Sequence, residues 1–389
     1  MLFILLLCVS LSVAQWRELE PDGPAVLTTE PNARPAPHER NALWCSSDDL
    51  YLLGTDSKLW KYEGETARWL WMCPAPFAIN DHPYWSMRDL MYVFINRKLY
   101  VHNPATREWS IEANNSLFSE RTAAATWADP MNNRLFMYGG IDTNGNVLNE
   151  MHSFNIETKQ WAGHDSEQNP GPLAHARVAR AENIVYLFGG DATTNGLPTS
   201  NLLWKMDLNT QAWQRVDLSD NTQPAARIGH VFFATPHQNK LILFGGRHGS
   251  TIYGDQWEYD LEQNKWSEQG KGAKPSPRFH GAWCRDQDSG TFLVGGSANV
   301  DNVEELNNDV WRYGPIDRNR AVAEFFRIDF NAVQLSSTIG GVCSMLCLIL
   351  LVVYGLVACV YKCRTRRQKR MQGAISMSRE ESGNKDDLF

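Results

Sequence analysis

The chain has 389 residues, with 44 Asp and Glu against 37 Lys and Arg, and its formal charge is −7. That length accommodates two or three average domains, or fewer where an all-β domain runs long. The acidic balance argues against a nucleic-acid partner, which would require a surface rich in Lys and Arg.

The N-terminal segment, residues 1–14 (MLFILLLCVSLSVA), is almost wholly apolar and ends on the small residues Val13 and Ala14. This pattern predicts a secretory signal peptide, although no Lys or Arg precedes the apolar stretch. A buried N-terminal strand is the alternative. A signal peptide would place the chain that follows outside the cytoplasm.

Five eight-residue units begin with a large side chain and end in Trp. They are YEGETARW at 62–69, HNPATREW at 102–109, FNIETKQW at 154–161, MDLNTQAW at 206–213 and YDLEQNKW at 259–266. Their polar middles predict hairpins, and the closing Trp of each would begin the last strand of a four-stranded unit.

Four segments read apolar-apolar-Gly-Gly, and their first glycines are 50, 56 and 50 residues apart. They end at Gly140, Gly190, Gly246 and Gly296. Apolar runs such as 241–244 (LILF) predict strands buried on both faces, and a Gly pair permits positive φ at the strand end. Upstream, Gly54 stands alone and Phe94-Ile95 has no glycine, which predicts shorter turns in the first two repeats.

Taken together, the Gly pairs, the Asn/Asp-rich loop before an aromatic residue (308–311, NDVW), the spaced Trp and the period of about 50 resemble kelch repeats. The resemblance covers about 16–313 and implies an all-β, six-bladed kelch-type β-propeller over 15–314. The last repeat has Arg320 where its Trp is due, whereas Trp16 precedes the first repeat. We therefore expect Trp16 to supply the outermost strand of blade 6 and to close the ring.

Residues 315–337 are expected to form a membrane-proximal stalk, and the 24 uncharged residues 338–361 predict one transmembrane helix. A buried core helix is the alternative. Basic residues follow at once, so the tail, 362–389, is predicted to be cytoplasmic. This tail carries a charge of +4, which leaves about −11 for residues 15–337. Cys359 and Cys363 flank the inner membrane face and are candidates for palmitoylation, or are plain membrane-facing residues.

An arginine recurs just before the first strand of several repeats, where the channel mouth of a propeller opens. These arginines are Arg40, Arg121, Arg227 and Arg278, while blade 4 offers His175 and Arg177 and blade 2 offers Asp81. One interpretation is a ligand-binding ring that grips carboxylates, as in the kelch adaptors that this chain resembles. The other is structural, with each arginine bonded to carbonyls of its own and the next blade.

His175, His230 and His280 stand 14, 15 and 15 residues before their Gly pairs, which predicts equivalent places on three neighbouring blades. They are further candidates for ligand binding at the channel mouth. Shared packing is the alternative, and we expect no metal and no other cofactor. Kelch-repeat copper radical oxidases also need tyrosine ligands, and no Tyr recurs beside these histidines.

The predicted ectodomain has three cysteines, Cys45, Cys73 and Cys284, so one is left over in an oxidising compartment. Cys45 and Cys73 should be separated by three strand spacings, about 14 Å, which is too far for a disulfide. The sequence leaves the pairing open. Asn114 begins the sequon 114–116 (NNS) and is the predicted site of N-glycosylation.

The chain resembles attractin-like membrane proteins in joining a kelch propeller to one span, without their accompanying modules. It also lacks the BTB domain of cytosolic kelch adaptors. These resemblances imply a non-catalytic module that binds a protein or glycan, in a single-pass type I protein of the cell surface or secretory pathway. The alternative is a sugar-modifying enzyme resembling kelch-type sialic-acid mutarotases, in which Arg227, Arg278 and His280 would be tested first.

Overall fold

The computed structural model describes residues 15–19, 35, 40–46, 49–63, 68–193, 199–220, 222–235, 239–270, 272–285, 290–300 and 303–314. All of them belong to one unit, Met1–Ile316. The predicted signal peptide, stalk, membrane span and tail, with Cys359 and Cys363, lie outside the described residues. Within the described part of the chain no helix is long and apolar enough to cross a bilayer.

Six antiparallel four-stranded sheets follow one another, which confirms the six-bladed propeller. From the innermost strand outward, blade 1 is Ala42–Ser46, Asp49–Leu53, Lys58–Glu63 and Arg68–Pro74, blade 2 is Tyr84–Met87, Leu90–Ile95, Lys98–Asn103 and Glu108–Asn114, and blade 3 is Ala125–Asp129, Arg134–Tyr138, Met151–Asn155 and Gln160–His164. Blade 4 is Arg177–Ala181, Ile184–Phe188, Leu203–Asp207 and Trp213–Arg215, and blade 5 is Val231–Thr235, Lys240–Phe244, Gln256–Asp260 and Lys265–Gln269. Blade 6 is Ala282–Arg285, Thr291–Val294, Val310–Gly314 and Gln15–Glu18.

Apolar side chains fill the space between neighbouring blades. A separate core lies between each adjacent pair of blades, and the core between blades 6 and 1 joins Val294 and Val310 to Leu50 and Trp60. Because a strand buried on both faces contributes to two such cores, each blade is stable only beside its neighbours. The described residues thus form a closed ring rather than an open stack.

The octapeptides form the predicted hairpins, with the first residue of each paired across to its Trp. The pairs are Tyr62 with Trp69, His102 with Trp109, Phe154 with Trp161, Met206 with Trp213 and Tyr259 with Trp266. In blade 6 the same pair joins opposite ends of the chain, because Trp16 lies across from Tyr313 with ring centroids 5.3 Å apart. The expected closure through Trp16 is confirmed.

A disulfide crosses the junction between blades 6 and 1. Cys45 and Cys284, on the innermost strands of these blades, are bonded, and their Cα atoms are 5.7 Å apart. Cys73 keeps an unpaired thiol on the outermost strand of blade 1. The structure thereby resolves the pairing that the sequence left open, and the ring is closed both covalently and by strand pairing.

The turns explain the glycine pattern. A Cβ on Gly189, whose φ is +72°, would come within 2.5 Å of the Arg227 carbonyl oxygen on the next blade, so this position requires glycine. Blade 2 instead turns through Asn96 and Arg97, with φ of 54° and 57°, which makes the short turn that was predicted. Two-stranded ribbons accompany blades 3, 5 and 6: Arg121–Thr122 with Ile141–Asp142, Arg247–His248 with Thr251–Ile252, and Ser297–Val300 with Val303–Leu306.

Trp16→Ala tests the closure. Trp16 is 2% exposed and packs on Phe233, Phe244 and Tyr313. Its truncation should lower the free energy of unfolding by about 3–5 kcal/mol, as for other buried Trp residues. Trp71→Ala is the matched control because Trp71 is 55% exposed, and it should cost far less. Denaturant unfolding measures both, and equal losses would contradict the closure.

His102→Phe tests a buried imidazole. His102 is buried against Trp109, with ring centroids 4.8 Å apart, and burial lowers its pKa to about 4. Because the unfolded imidazole has a pKa of about 6.5, unfolding takes up a proton at low pH, so stability is lost as pH falls below 6.5. His102 should account for about 2 kcal/mol of the loss between pH 8 and 5. Urea unfolding at both pH values should show a smaller loss in the variant, and an unchanged loss would contradict the assignment.

Candidate binding site at the channel mouth

One residue with positive φ precedes the innermost strand of every blade, and we call these six residues the mouth ring. They are Arg40 (φ 60°), Asp81 (62°), Ala123 (56°), His175 (55°), Gly229 (63°) and His280 (53°). Backbone N–H groups donate around the ring from Arg40 to His280, Ala123 to Asp81, His175 to Ala123 and His280 to Gly229, at 3.3, 2.8, 2.9 and 2.7 Å. The backbone therefore fixes where each mouth-ring side chain begins.

Four mouth-ring side chains meet across the mouth. The His175 and His280 rings lie 5.4 Å apart, and Arg40 Nε lies 3.5 Å from His280 Nδ1. His175 Nε2 lies 3.5 Å from Asp81 Oδ2. A Cβ on Gly229 would come within 2.5 Å of the His280 ring, so glycine leaves the room that this ring occupies. Blades 1, 2, 4 and 6 thus contribute to one polar cluster.

The cluster holds a buried carboxylate. Burial by itself raises the pKa of Asp81, but the electrostatic effect of the neighbouring His175, Arg177, His280 and Arg40 outweighs burial and holds that pKa below its ordinary value. Asp81 is therefore ionised at neutral pH. On the other side of His175, Nδ1 lies 3.1 Å from Asp191 Oδ1, and Asp191 is 1% exposed.

A cavity of about 340 Å³ opens along the channel next to the mouth ring. Its walls come from the innermost strands of blades 1, 2, 3, 4 and 6. The lining includes three arginines, Arg40, Arg177 and Arg285, against one carboxylate, Asp81. The positive charge of Arg177 in this cavity suits an anionic group.

Arg177 departs from the repeat. The residue two positions after the mouth-ring residue is small or apolar in the other five blades: Ala42, Pro83, Ala125, Val231 and Ala282. Arg177 is half-buried, and its charge acts on Asp81 of blade 2, His230 of blade 5 and His280 of blade 6. Its side chain makes no hydrogen bond or ion pair with any residue that the structure describes, whereas its backbone pairs with Phe188 in the sheet. Its guanidinium is thus placed to receive a ligand.

The repeated arginines are placed differently. Arg227 is fully buried, its two Nη atoms lie 2.6 and 2.8 Å from the Asp255 carboxylate, and Nη1 also donates to the Gly245 carbonyl at 2.9 Å. Arg278 repeats this geometry with Asp309 and Gly295, and Arg121 bonds to Glu150 and Gly139. Each therefore ties the Gly pair of its own blade to a carboxylate, which is a structural role. The ligand-binding role of these three arginines stays a prediction.

The acidic partners of these arginines were missed in the sequence. Burial raises the pKa of Asp255, but hydrogen bonds from Arg227 hold it below its ordinary value. The indole N–H groups of Trp257 and Trp311 donate to Asp255 and Asp309 at 2.8 and 2.6 Å. An acidic residue two positions before a Trp at the start of the third strand is the signal that could have found Asp255 and Asp309.

The predicted equivalence of the three histidines is wrong. His175 and His280 occupy the mouth ring, whereas His230 follows mouth-ring residue Gly229 by one position and is buried against Phe188, with ring centroids 5.5 Å apart. Burial lowers the pKa of His230 and His280 well below the ordinary value, so both are neutral at physiological pH. In the described residues no group of three His, Cys, Asp or Glu side chains could hold a metal ion.

Arg278→Ala tests the structural role of the repeated arginines. The substitution leaves Asp309, whose side chain is 22% exposed, without its cation. Breaking a buried ion pair in this way costs about 3–5 kcal/mol of unfolding free energy. Arg177→Ala should change it by less than ~1 kcal/mol, because Arg177 has no such pair. Denaturant unfolding compares the two, and similar losses would contradict the distinction.

Comparison with known proteins agrees with this geometry. A family model described as the KLHDC2/KLHL20/DRC7 Kelch-repeats domain matches residues 92–296, more than half of the chain. Among solved structures, "Structure of YjhT" superposes with a TM-score of 0.57 and 15% identity, covering 71% of this chain and 98% of that one. At that identity the likeness shows the fold alone.

Several curated relatives are much longer proteins. Host cell factor 1 of Homo sapiens is 25% identical over 234 residues, which is 54% of this chain and 11% of that protein. The leucine-zipper-like transcriptional regulator 1 homolog of Drosophila melanogaster is 28% identical over 168 residues, 41% of this chain and 16% of that protein. Acyl-CoA-binding domain-containing protein 4 of Arabidopsis thaliana is 25% identical over 250 residues, 59% of this chain and 36% of that protein. The chain thus spans a minor part of each relative.

Proposed function

The chain belongs to the kelch-repeat family of β-propellers, and on that basis we propose that it is a non-catalytic module that binds a partner protein at the channel mouth. The observation that carries the proposal is Arg177. Its half-buried guanidinium lies in the cavity without a hydrogen bond or ion pair from any described residue. Asp81 acts on Arg177 by charge alone, and a guanidinium withdrawn from water is costly unless acceptors also satisfy its N–H groups.

A carboxylate is the group that fits. Guanidinium and carboxylate form two parallel hydrogen bonds. The cavity of about 340 Å³ is at the small end for a ligand site. It therefore suits one acidic side chain or a chain terminus of the partner, while the remaining contacts would be made on the surface around the mouth ring.

We also propose that the propeller faces the cell exterior or a secretory lumen, in a single-pass type I membrane protein. The apolar segments 1–14 and 338–361, and the basic residues after the second, support this topology. The disulfide between Cys45 and Cys284 supports it independently, because structural disulfides are rare where thiols are kept reduced.

The sugar-modifying alternative has less support. It relied on Arg227 and Arg278 as substrate contacts, but these guanidinium groups are 0% and 2% exposed and are ion-paired to Asp255 and Asp309. A substrate would have to break those pairs to reach them. An acidic glycan also carries a carboxylate, and the capture experiment distinguishes it from a protein.

Arg177→Ala in the full-length chain is the test. Cross-linking capture from cells that express wild type or variant should recover a partner that is lost with Arg177→Ala. Arg107→Ala is the matched control, because Arg107 is exposed in the rim hairpin of blade 2. Loss of one charged hydrogen-bonding group should weaken binding about tenfold or more.

A second step identifies the chemistry. Peptides from the captured partner are compared with versions in which one carboxylate at a time is replaced by its amide. At one position the replacement should weaken binding to wild type. The same replacement should leave binding to Arg177→Ala unchanged. Capture that is unchanged by Arg177→Ala would contradict the proposal. Capture that survives proteolysis of the partner but is lost on removal of acidic sugars would assign the carboxylate to a glycan instead.

A further inference from the structure

Three exposed apolar side chains lie on the outermost strands of blades 1 and 2 or in the turn that follows the outermost strand of blade 2. Among the described residues the exposed large apolar side chains are Leu70, Trp71, Ile111, Leu117, Met131 and Leu306. Ile111 and Leu117 stand three residues before and three residues after Asn114, at 51% and 66% exposure. With Leu70, which is 41% exposed, they form what we call the rim patch.

Strand register places Leu70 and Ile111 on facing surfaces of blades 1 and 2. Ile111 pairs with Tyr100, which packs into the core between these two blades, so Ile111 faces blade 1. Leu70 pairs with Lys61, and the neighbours of Lys61 in the strand face blade 6. Because side chains alternate along a strand, Leu70 faces blade 2. The two side chains therefore flank one seam.

Asn114 opens onto the same seam. It pairs with Lys98, and the next residue, Leu99, packs into the core between blades 2 and 3. By alternation Lys98 and Asn114 face blade 1, as Ile111 does. The Asn114 side chain is exposed, so its amide is accessible at the end of the outermost strand of blade 2.

The rest of the sequon is held in an ordered turn. Asn115 is 6% exposed, its Nδ2 donates to the Phe118 carbonyl at 2.9 Å, and its Oδ1 accepts from the Leu117 N–H at 2.9 Å. Phe118 in turn packs into the core between blades 2 and 3. The turn therefore fixes the direction in which Asn114 projects, and it leaves Ser116 exposed.

We propose that an N-linked glycan on Asn114 covers the rim patch. The proposal rests on the extracytoplasmic location proposed above. The Asn114 amide nitrogen forms a bond to C1 of an oligosaccharide and loses one proton, while the bond from C1 to a lipid diphosphate breaks and the diphosphate leaves. The first sugars then lie beside Ile111, Leu117 and Leu70 and keep this apolar surface from self-association.

A pair of substitutions at Ser116 isolates the glycan. In the full-length chain expressed in secretory cells, Ser116→Ala removes the sequon and Ser116→Thr keeps it. Peptide-N-glycosidase should lower the mass of wild type and Ser116→Thr by one glycan and leave Ser116→Ala unchanged. The monomeric fraction after mild detergent extraction should fall several-fold for Ser116→Ala alone. Adding Ile111→Thr and Leu117→Gln to Ser116→Ala, which creates no new sequon, should restore it.

The outcomes separate this inference from the proposed function. If protease added outside sealed vesicles digests the propeller, the proposed extracytoplasmic location is wrong, and the glycan inference that rests on it is wrong as well. If the propeller is protected but wild type carries no glycan, only the glycan inference fails. Equal monomeric fractions for Ser116→Ala and Ser116→Thr would overturn the covering role. Glycosylated wild type that cross-links to a second copy through Ile111 would assign the rim patch to that copy instead.

Discussion

A propeller closes only if its last blade is completed. Here the outermost strand of blade 6 is a four-residue strand from the N-terminal end of the described chain. Gln15–Glu18 pairs with Val310–Gly314, and Trp16 packs on Tyr313 as the closing Trp of the other blades packs on its hairpin partner. The Cys45–Cys284 disulfide joins this blade to blade 1 at the channel. Every core between neighbouring blades depends on this junction, because an opened ring exposes apolar faces.

The mouth ring follows from the same repetition. A positive-φ residue precedes the innermost strand of each blade, so the five mouth-ring side chains and Gly229 lie at one end of the channel. The repeat itself uses the buried arginines, such as Arg278 with Asp309, to hold its loops together. Chemistry that differs between blades is therefore the better guide to function, and Arg177 is the clearest such difference.

Local pattern in the sequence was enough to predict the blades, the hairpins and the role of Trp16, since each depends on neighbouring residues and on a period. It was not enough to place His230, because its position was inferred from the number of residues before the Gly pair, and that number includes the turn between the first two strands of the blade. That turn has two residues after Ala181 in blade 4 and four after Thr235 in blade 5. The sequence pattern also did not reveal the carboxylate that pairs with each buried arginine, because that residue lies about 30 positions further along the chain. It did not reveal that the Arg177 side chain lacks a hydrogen-bonding partner among the described residues, because this depends on three-dimensional contacts.

Native-state hydrogen exchange of the full-length chain tests the closure most directly. The amides of residues 16–18 and 310–314 should exchange as slowly as those of the outermost hairpins in blades 3 and 5, because closure by strand pairing makes blade 6 part of the same cooperative unit. Slow exchange in these two segments is the result expected. Fast exchange at 16–18, with the other blades still protected, would show a ring that does not depend on this strand and would contradict the account.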